Sequence, residues 1–193
     1  GQQASSDYLS CVRPPGILKE LELQIGPNSA VAEIEIYDKS ANKIDLSGTK
    51  ASVSLSPGGW QNAGSCVVDA GHNCTILDGH IEQDWQGDET LGYPHAPAVD
   101  SQIKINPEIN ILKSNLGTIK IYDRSDCCHG RLTSGSNNKL ILRFTTNQPN
   151  NTEDIEVNLS SYAANNNNST YVYNFINNEL QLEPAVTQAH LVL

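Results

Sequence analysis

The sequence contains no methionine and few charged or aromatic residues. Charged side chains make up 18% of the 193 residues, and Phe, Trp and Tyr together make up 6%. Because Met is absent, Gly1 is not a translation start, and we expect a preceding segment that was removed or that lies outside this sequence. No run of about 18 apolar residues occurs, which argues against a transmembrane helix.

Basic residues are scarce as well. The chain has 12 Lys and Arg against 22 Asp and Glu, which gives a net charge of -10. Such a charge disfavours nucleic acids, because phosphates need a basic surface, and it equally disfavours an anionic membrane. We therefore expect neither a nucleic-acid partner nor insertion into a membrane.

Motifs of the common enzyme classes are also missing. The sequence has no Gly-x-Ser-x-Gly elbow, no His-Glu-x-x-His zinc motif and no glycine-rich phosphate loop. His80, Glu82 and Asp84 alternate and would share a strand face as a metal or acid–base cluster, although such a row is more often solvated. We therefore expect a protein that is not an enzyme.

The chain does contain repeated alternation of apolar and polar residues with a period of two. The alternating segments begin near Leu21, Val31, Ala51, Ile103, Gly117, Lys139, Ile155 and Thr170. Clusters of turn residues lie between them, and no stretch of about twelve residues has the pattern of an amphipathic helix. Many short strands at this spacing predict an all-β sandwich or barrel.

The C-terminal part differs in composition, since residues 147–178 are rich in Asn. This richness predicts a loop that carries glycans or a disordered bridge. Two short apolar-leaning runs follow at 179–182 and 189–193; they either complete the same sandwich or pair with a neighbouring subunit by strand addition. We divide the chain into an N-terminal arm (1–16), a β-sandwich (17–146) and a glycosylation-prone extension with late strands (147–193).

The sequence contains several acceptor motifs for N-glycosylation. Asn-x-Ser/Thr sequons begin at Asn73, Asn150, Asn158, Asn167 and Asn168, of which the last two overlap. A chain rich in Asn and Thr generates sequons by chance, but separated sites favour a glycosylated surface. We expect an extracellular or secreted glycoprotein, including one at a cell or virion surface.

The number of cysteines is five, which is odd. Cys66 and Cys74 lie close in sequence and suit a small loop closed by a disulfide. Cys127 and Cys128 are adjacent, so they form a strained vicinal disulfide, pair elsewhere or stay reduced. Cys11 would be left over, either free or bonded to another chain.

The most specific motif lies in residues 119–132, where a strand is followed by Arg-x-Asp-Cys-Cys-x-x-Arg-Leu. This turn resembles the one in the fucose-binding F-type lectins and in the wider discoidin, or coagulation factor C-type, domains. Residues 68–73 resemble the Ala-Val-Asp-Gly-Asn loop of that family with one residue inserted, and residues 32–38 resemble an opening strand. The resemblance covers roughly residues 17–145 and implies a discoidin-like jelly-roll β-sandwich.

The resemblance also implies a carbohydrate site. Its residues would be His95, Arg124, Asp126, Cys127, Cys128 and Arg131. Two guanidinium groups would donate charge-assisted hydrogen bonds to sugar oxygens, Asp126 would hold one guanidinium, and a vicinal disulfide would offer an apolar patch. The alternative is that Arg and Asp form an internal salt bridge that only closes the turn.

Two departures from the family pattern concern this site. His95 is the best match for an upstream His of the family, but it lies 29 positions before Arg124, farther than in the family. The Trp-Trp strand of the family is replaced here by residues 101–106.

The family often holds a structural calcium ion near the loop at 68–73. Asp69 would then be a ligand, with backbone carbonyl groups completing the oxygen shell. The alternative is a surface aspartate in a turn.

Two functions therefore remain, and both belong to a non-catalytic extracellular glycoprotein. The first is a lectin-like module that binds glycans through Arg124, Arg131 and His95. The second is a structural subunit of a fibre, coat or capsid that self-associates by strand addition. The odd cysteine, the sequons and the replaced Trp-Trp strand favour the second function, whereas the intact Cys-Cys turn favours the first.

Overall fold

The computed structural model describes residues 15–62, 66, 74–79, 81, 93–124, 128, 130–159 and 168–184. Within these ranges the chain forms nine β-strands and short 3-10 turns, and none of its helices is long and apolar enough to cross a membrane. The strands are β1 Leu18–Ile25, β2 Val31–Asp38, β3 Ala51–Ser56, β4 Ser101–Pro107, β5 Leu116–Asp123, β6 Lys139–Thr145, β7 Thr152–Asn158, β8 Asn168–Asn174 and β9 Glu179–Pro184.

Five of these strands form an antiparallel sheet in the order β3-β4-β1-β6-β7. The register places like residues side by side across its centre. Leu23 of β1 lies opposite Ile103 of β4 on one side and opposite Leu140 of β6 on the other. One face of the sheet is therefore a continuous aliphatic surface.

The other four strands form a second antiparallel sheet in the order β2-β5-β8-β9. Ile34 of β2 lies opposite Ile121 of β5, which in turn lies opposite Tyr171 of β8. Ile34, Ile121 and Tyr171 belong to the same buried cluster as Leu23 and Leu140 of the first sheet. The two sheets thus pack face to face on a single core, and the all-β sandwich expected from the sequence is confirmed.

Each alternating segment of the sequence coincides with a strand of the structure. β7 and β8 lie inside the Asn-rich region, where β7 extends the first sheet beside β6 and β8 extends the second beside β5. The run at 179–182 belongs to β9, which pairs with β8 of the same chain. The second run, at 189–193, lies outside the described residues.

The outward face of the five-stranded sheet carries a network of ion pairs centred on Arg143. Its guanidinium lies 2.6 Å from Glu20 Oε1, 3.0 Å from Glu22 Oε2 and 3.4 Å from Asp154 Oδ2. Glu22 is only 4% exposed although it faces outward, because neighbouring side chains cover it. A buried carboxylate needs such partners to offset its desolvation.

Replacing Arg143 with alanine is expected to lower the free energy of unfolding by about 3 kcal/mol, because it breaks a largely buried pair. Glu22 would keep only the Lys104 ammonium, which lies 3.7 Å away. The matched control is Lys139→Ala, since the pair of Lys139 with Glu156 is exposed and such pairs contribute about 0–1 kcal/mol. Urea unfolding measures both losses, and equal losses would contradict the assignment.

Candidate functional site

The described residues of the predicted site lie at one end of the sandwich, where β1 and β5 end and β2 and β6 begin. Val31, the first residue of β2, lies opposite Asp123, the last residue of β5. Ala30, immediately before β2, forms a bridge with His95. The pairing of β2 therefore brings His95 to the same end as Arg124, which directly follows β5.

Arg124 is a buried cation, with 6% of its surface exposed. Its guanidinium carbon lies 5.2 Å from the centre of the Tyr93 ring, which is a cation–π contact. Its backbone N–H donates to Asp123 Oδ1 at 2.8 Å. These contacts hold the guanidinium in one place at the end of the core.

Arg131, in contrast, is exposed and opens the 3-10 turn Arg131–Thr133. Gly130 precedes it with a φ of 91°, a left-handed conformation that glycine adopts without steric cost. Leu132, fully buried, anchors the turn in the core. The Arg131 guanidinium donates one long bond of 3.5 Å to the carbonyl oxygen of Asn28 and forms no ion pair with a described residue.

The turn that carries Arg131 is seated on Gly26. A Cβ atom at Gly26 would collide with the carbonyl oxygen of Arg131 and would lie 2.5 Å from Ser134 Oγ and 2.6 Å from the nitrogen of Gly135. Only a residue without a side chain fits under the turn, so Gly26 fixes its height above β1.

His95 is half-buried, and its backbone exchanges two hydrogen bonds with Gln61, of 2.9 and 3.0 Å. Burial lowers the pKa of His95 below its usual value, and the charges of Arg124 and Arg131 lower it further. The imidazole is therefore neutral at neutral pH and presents one donor and one acceptor nitrogen. His95, Arg124 and Arg131 lie at the same end of the sandwich, and we call these three residues the site cluster.

One of the two disulfides expected from the sequence is confirmed. Cys66 and Cys74 form a disulfide, as expected. Cys128 is also disulfide-bonded and has a φ of 62°, but its partner lies outside the described residues. The vicinal pairing of Cys127 with Cys128 therefore stays a prediction, and Cys11 likewise lies outside the described part of the chain.

Other predicted residues fall outside the described ranges or only partly within them. Asp126 of the sugar site, Asp69 of the calcium site, and the row His80, Glu82 and Asp84 are not described. Among the sequons, Asn150 is exposed in the turn between β6 and β7, and Asn158 is exposed at the end of β7. Asn168 begins β8, while Asn73 and Asn167 lie outside the described residues.

The structure draws attention to Glu33, which the sequence did not single out. Glu33 is 1% exposed, and the N–H of Gly79 donates to its Oε1 at 3.1 Å. Its Oε2 is buried and has no hydrogen-bond partner among the described residues. Burial raises the pKa of Glu33 to about 9, and the nearby carboxylate of Asp78 adds to the rise.

Glu33 lines a cavity of about 190 Å³ together with Lys43, Asp45 and Asp78. An orphaned buried carboxyl oxygen beside other acidic groups is compatible with a hard cation, which takes oxygen ligands. Within the described residues, however, no group of three or more His, Cys, Asp or Glu is placed to hold a metal ion.

Comparisons with known proteins identify no relative. No protein-family model matches the chain, and neither a curated protein nor a solved structure gives a significant match. We therefore infer a function from the site cluster and from the Cys-Cys turn alone.

Glu33→Gln is expected to make stability less dependent on pH. With the pKa of Glu33 raised from 4.5 to about 9, the folded protein binds one more proton than the unfolded chain between these values. The free energy of unfolding should therefore fall as pH rises through this window, by at most about 1.4 kcal/mol per pH unit.

Urea unfolding from pH 5 to pH 9 in the presence of EDTA measures this slope. Glu33→Gln should flatten it, whereas the control Glu179→Gln, at an exposed position on β9, should not. An unchanged slope in Glu33→Gln would show that its carboxyl group is not the titrating group.

Proposed function

We propose that the protein is a non-catalytic, extracellular carbohydrate-binding module of the discoidin-like class, which binds a sugar at the site cluster. One observation carries the proposal: the pairing of β2 with β5 and the bridge between Ala30 and His95 bring His95 to the end of the sandwich that carries Arg124 and Arg131. The Cys-Cys turn that resembles the F-type lectins thus has a His and two Arg residues at the same end of the sandwich.

The chemistry of the cluster suits sugar hydroxyl groups, which both donate and accept hydrogen bonds. Arg124 is held on Tyr93, so little rotamer entropy is lost when its guanidinium donates to a sugar oxygen. Arg131 is exposed and only weakly bonded, so it is available to a ligand from solvent. The neutral His95 would accept from one hydroxyl group or donate to another.

Two further residues of the turn complete the proposed site. Cys128 is part of a disulfide, and a disulfide beside the cluster would offer an apolar surface to one face of the sugar. Asp126 would hold one of the guanidinium groups in position by a charge-assisted hydrogen bond. The disulfides and the exposed sequons support an extracellular glycoprotein.

Arg131→Ala is expected to weaken glycan binding by about tenfold or more, because it removes a charge-assisted hydrogen bond. Its thermal midpoint should stay close to that of the parent protein, since the Arg131 side chain is exposed and makes a single long bond. A glycan array followed by calorimetry with the best-bound saccharide measures the affinity.

The matched control is Lys39→Ala, which removes another exposed cation just after the far end of β2. It should leave binding unchanged. If Arg131→Ala instead lowers the thermal midpoint strongly and leaves binding intact, the residue closes the turn and does not bind sugar.

The proposal includes a structural calcium ion, for which the resemblance implies Asp69 as a ligand and the structure adds Glu33 as a separate candidate ligand. The buried Oε2 of Glu33 is the observation in its favour, because a cation would compensate the charge that burial disfavours. Calcium would order the loops near the Glu33 cavity and would take no part in a reaction.

Calcium chloride is expected to raise the thermal midpoint relative to EDTA, because an ion that binds the folded state stabilises it. Asp69→Asn and Glu33→Gln should each reduce this increment, and Glu179→Gln should retain it. The same midpoint in calcium and in EDTA would exclude the ion.

An assembly subunit remains the second candidate. β9 has β8 on one side and no described strand on the other, so its free edge would accept a strand from another copy. Deleting residues 185–193 tests this candidate without removing β9. If the full chain forms filaments or shells in electron micrographs and the deletion leaves monomers, the result favours the assembly role over the sugar-binding role.

A further inference from the structure

A polar cleft lies beside the site cluster at the same end of the sandwich. It has a volume of about 290 Å³ and opens at the ends of the adjacent strands β1, β4 and β6. Its walls include side chains with amide, hydroxyl or carboxylate groups: Gln24, Asp100, Gln102, Ser136 and Asn137. We infer that this cleft is a second saccharide subsite, which holds a further sugar unit of a glycan whose terminal unit lies at the site cluster.

The inference rests on the proposed function and specifies its substrate class, an oligosaccharide rather than a single sugar. The cleft and the site cluster are joined by one short segment. Arg131 belongs to the cluster and Ser136 to the cleft, and five residues of chain span at most about 18 Å, so a glycan of a few units can extend from one to the other. The contact of this segment with Gly26 fixes the position of the cleft wall relative to the cluster.

Hydrogen bonds fix the wall of the cleft that residues 131–137 form. The Ser136 hydroxyl donates to Asp100 Oδ2 at 2.7 Å, and its N–H donates to the same oxygen at 3.4 Å. The amide of Asn137 donates to Gln24 Oε1 at 3.3 Å. These bonds connect the turn before β6 to the ends of β4 and β1, so the cleft keeps its shape without a ligand.

The cleft also retains hydrogen-bonding capacity for a ligand. The half-buried amide of Gln102 makes no hydrogen bond with a described residue, and neither does Asn137 Oδ1. One amide offers two donors and two acceptor lone pairs, which is the mixture that neighbouring hydroxyl groups of a sugar require. Apart from Asp100, no charged side chain of the described residues lines the cleft, so a neutral saccharide fits it better than an ionic ligand.

A second cleft of the same volume provides an internal control. It also measures about 290 Å³ and is lined by Lys19, Thr145, Gln148 and Asn150, among others, at the turn between β6 and β7. β6 runs from the site end to this turn, so the second cleft lies at the opposite end of the sandwich. The segment 131–136 joins the site cluster to the first cleft and not to the second. A glycan that binds at the site cluster therefore does not extend into the second cleft along this segment.

The test compares two probes, the oligosaccharide bound most strongly on a glycan array and the monosaccharide at its terminus. Gln102→Ala is expected to weaken the oligosaccharide about threefold to tenfold, the effect of one or two lost hydrogen bonds, and to leave the monosaccharide unchanged. Asn137→Ala should do the same. Gln148→Ala, the matched change in the opposite cleft, should alter neither affinity.

The possible outcomes separate this inference from the proposed function. If Arg131→Ala abolishes binding of both probes while Gln102→Ala and Asn137→Ala change neither, the second subsite is wrong and the carbohydrate site stands. Equal weakening of both probes by Gln102→Ala would also overturn the subsite, because the residue would then act on the cluster. If the array binds no glycan, both proposals fail.

Discussion

The packing of two antiparallel sheets on one aliphatic core is the constraint on which the rest of the structure depends. Leu, Ile and Val supply most of this core, and its few large aromatic residues include Phe144 and Tyr173. The chain reaches this arrangement without any methionine. Because inward and outward positions alternate along most of each strand, most polar groups on the strands face away from the core, and the strand ends are left to carry the site.

Each sheet has a buried carboxyl group on its outward face, and the two groups have different partners. On the five-stranded sheet, Glu22 is compensated by Arg143 and Lys104. On the four-stranded sheet, one carboxyl oxygen of Glu33 accepts from the N–H of Gly79, the other has no partner among the described residues, and burial raises the pKa of Glu33 to about 9. The first arrangement stabilises the fold, whereas the second leaves the charged form of Glu33 without a compensating hydrogen bond at one oxygen.

Much of the fold could be predicted from the sequence, because alternation with a period of two reports directly on half-buried strands. Strand order could not, since nothing in the alternation of β1 indicates that it pairs with β4 and β6 rather than with β2. Glu33 was missed for a related reason. Its position in the alternation marks it as an outward polar residue, and the contact with Gly79 that helps to cover it comes 46 residues later.

For the site, too, the local sequence motif identified residues, whereas their surroundings depend on contacts between distant parts of the chain. The motif indicated both arginines, but it could not show that Arg124 is buried against Tyr93 while Arg131 is exposed. His95 lies 29 positions before Arg124 in the sequence. Its bridge to Ala30 nevertheless brings it to the end of β5.

NMR of the side chains of the site cluster tests most directly whether the cluster contacts a sugar. A saccharide chosen from a glycan array would be added to protein with isotope-labelled Arg and His. Binding at the cluster should shift the Arg124 and Arg131 guanidinium signals and the His95 imidazole signals, with Arg143 unchanged as the internal reference. Saturable binding that leaves the signals of all three cluster residues unmoved would contradict it.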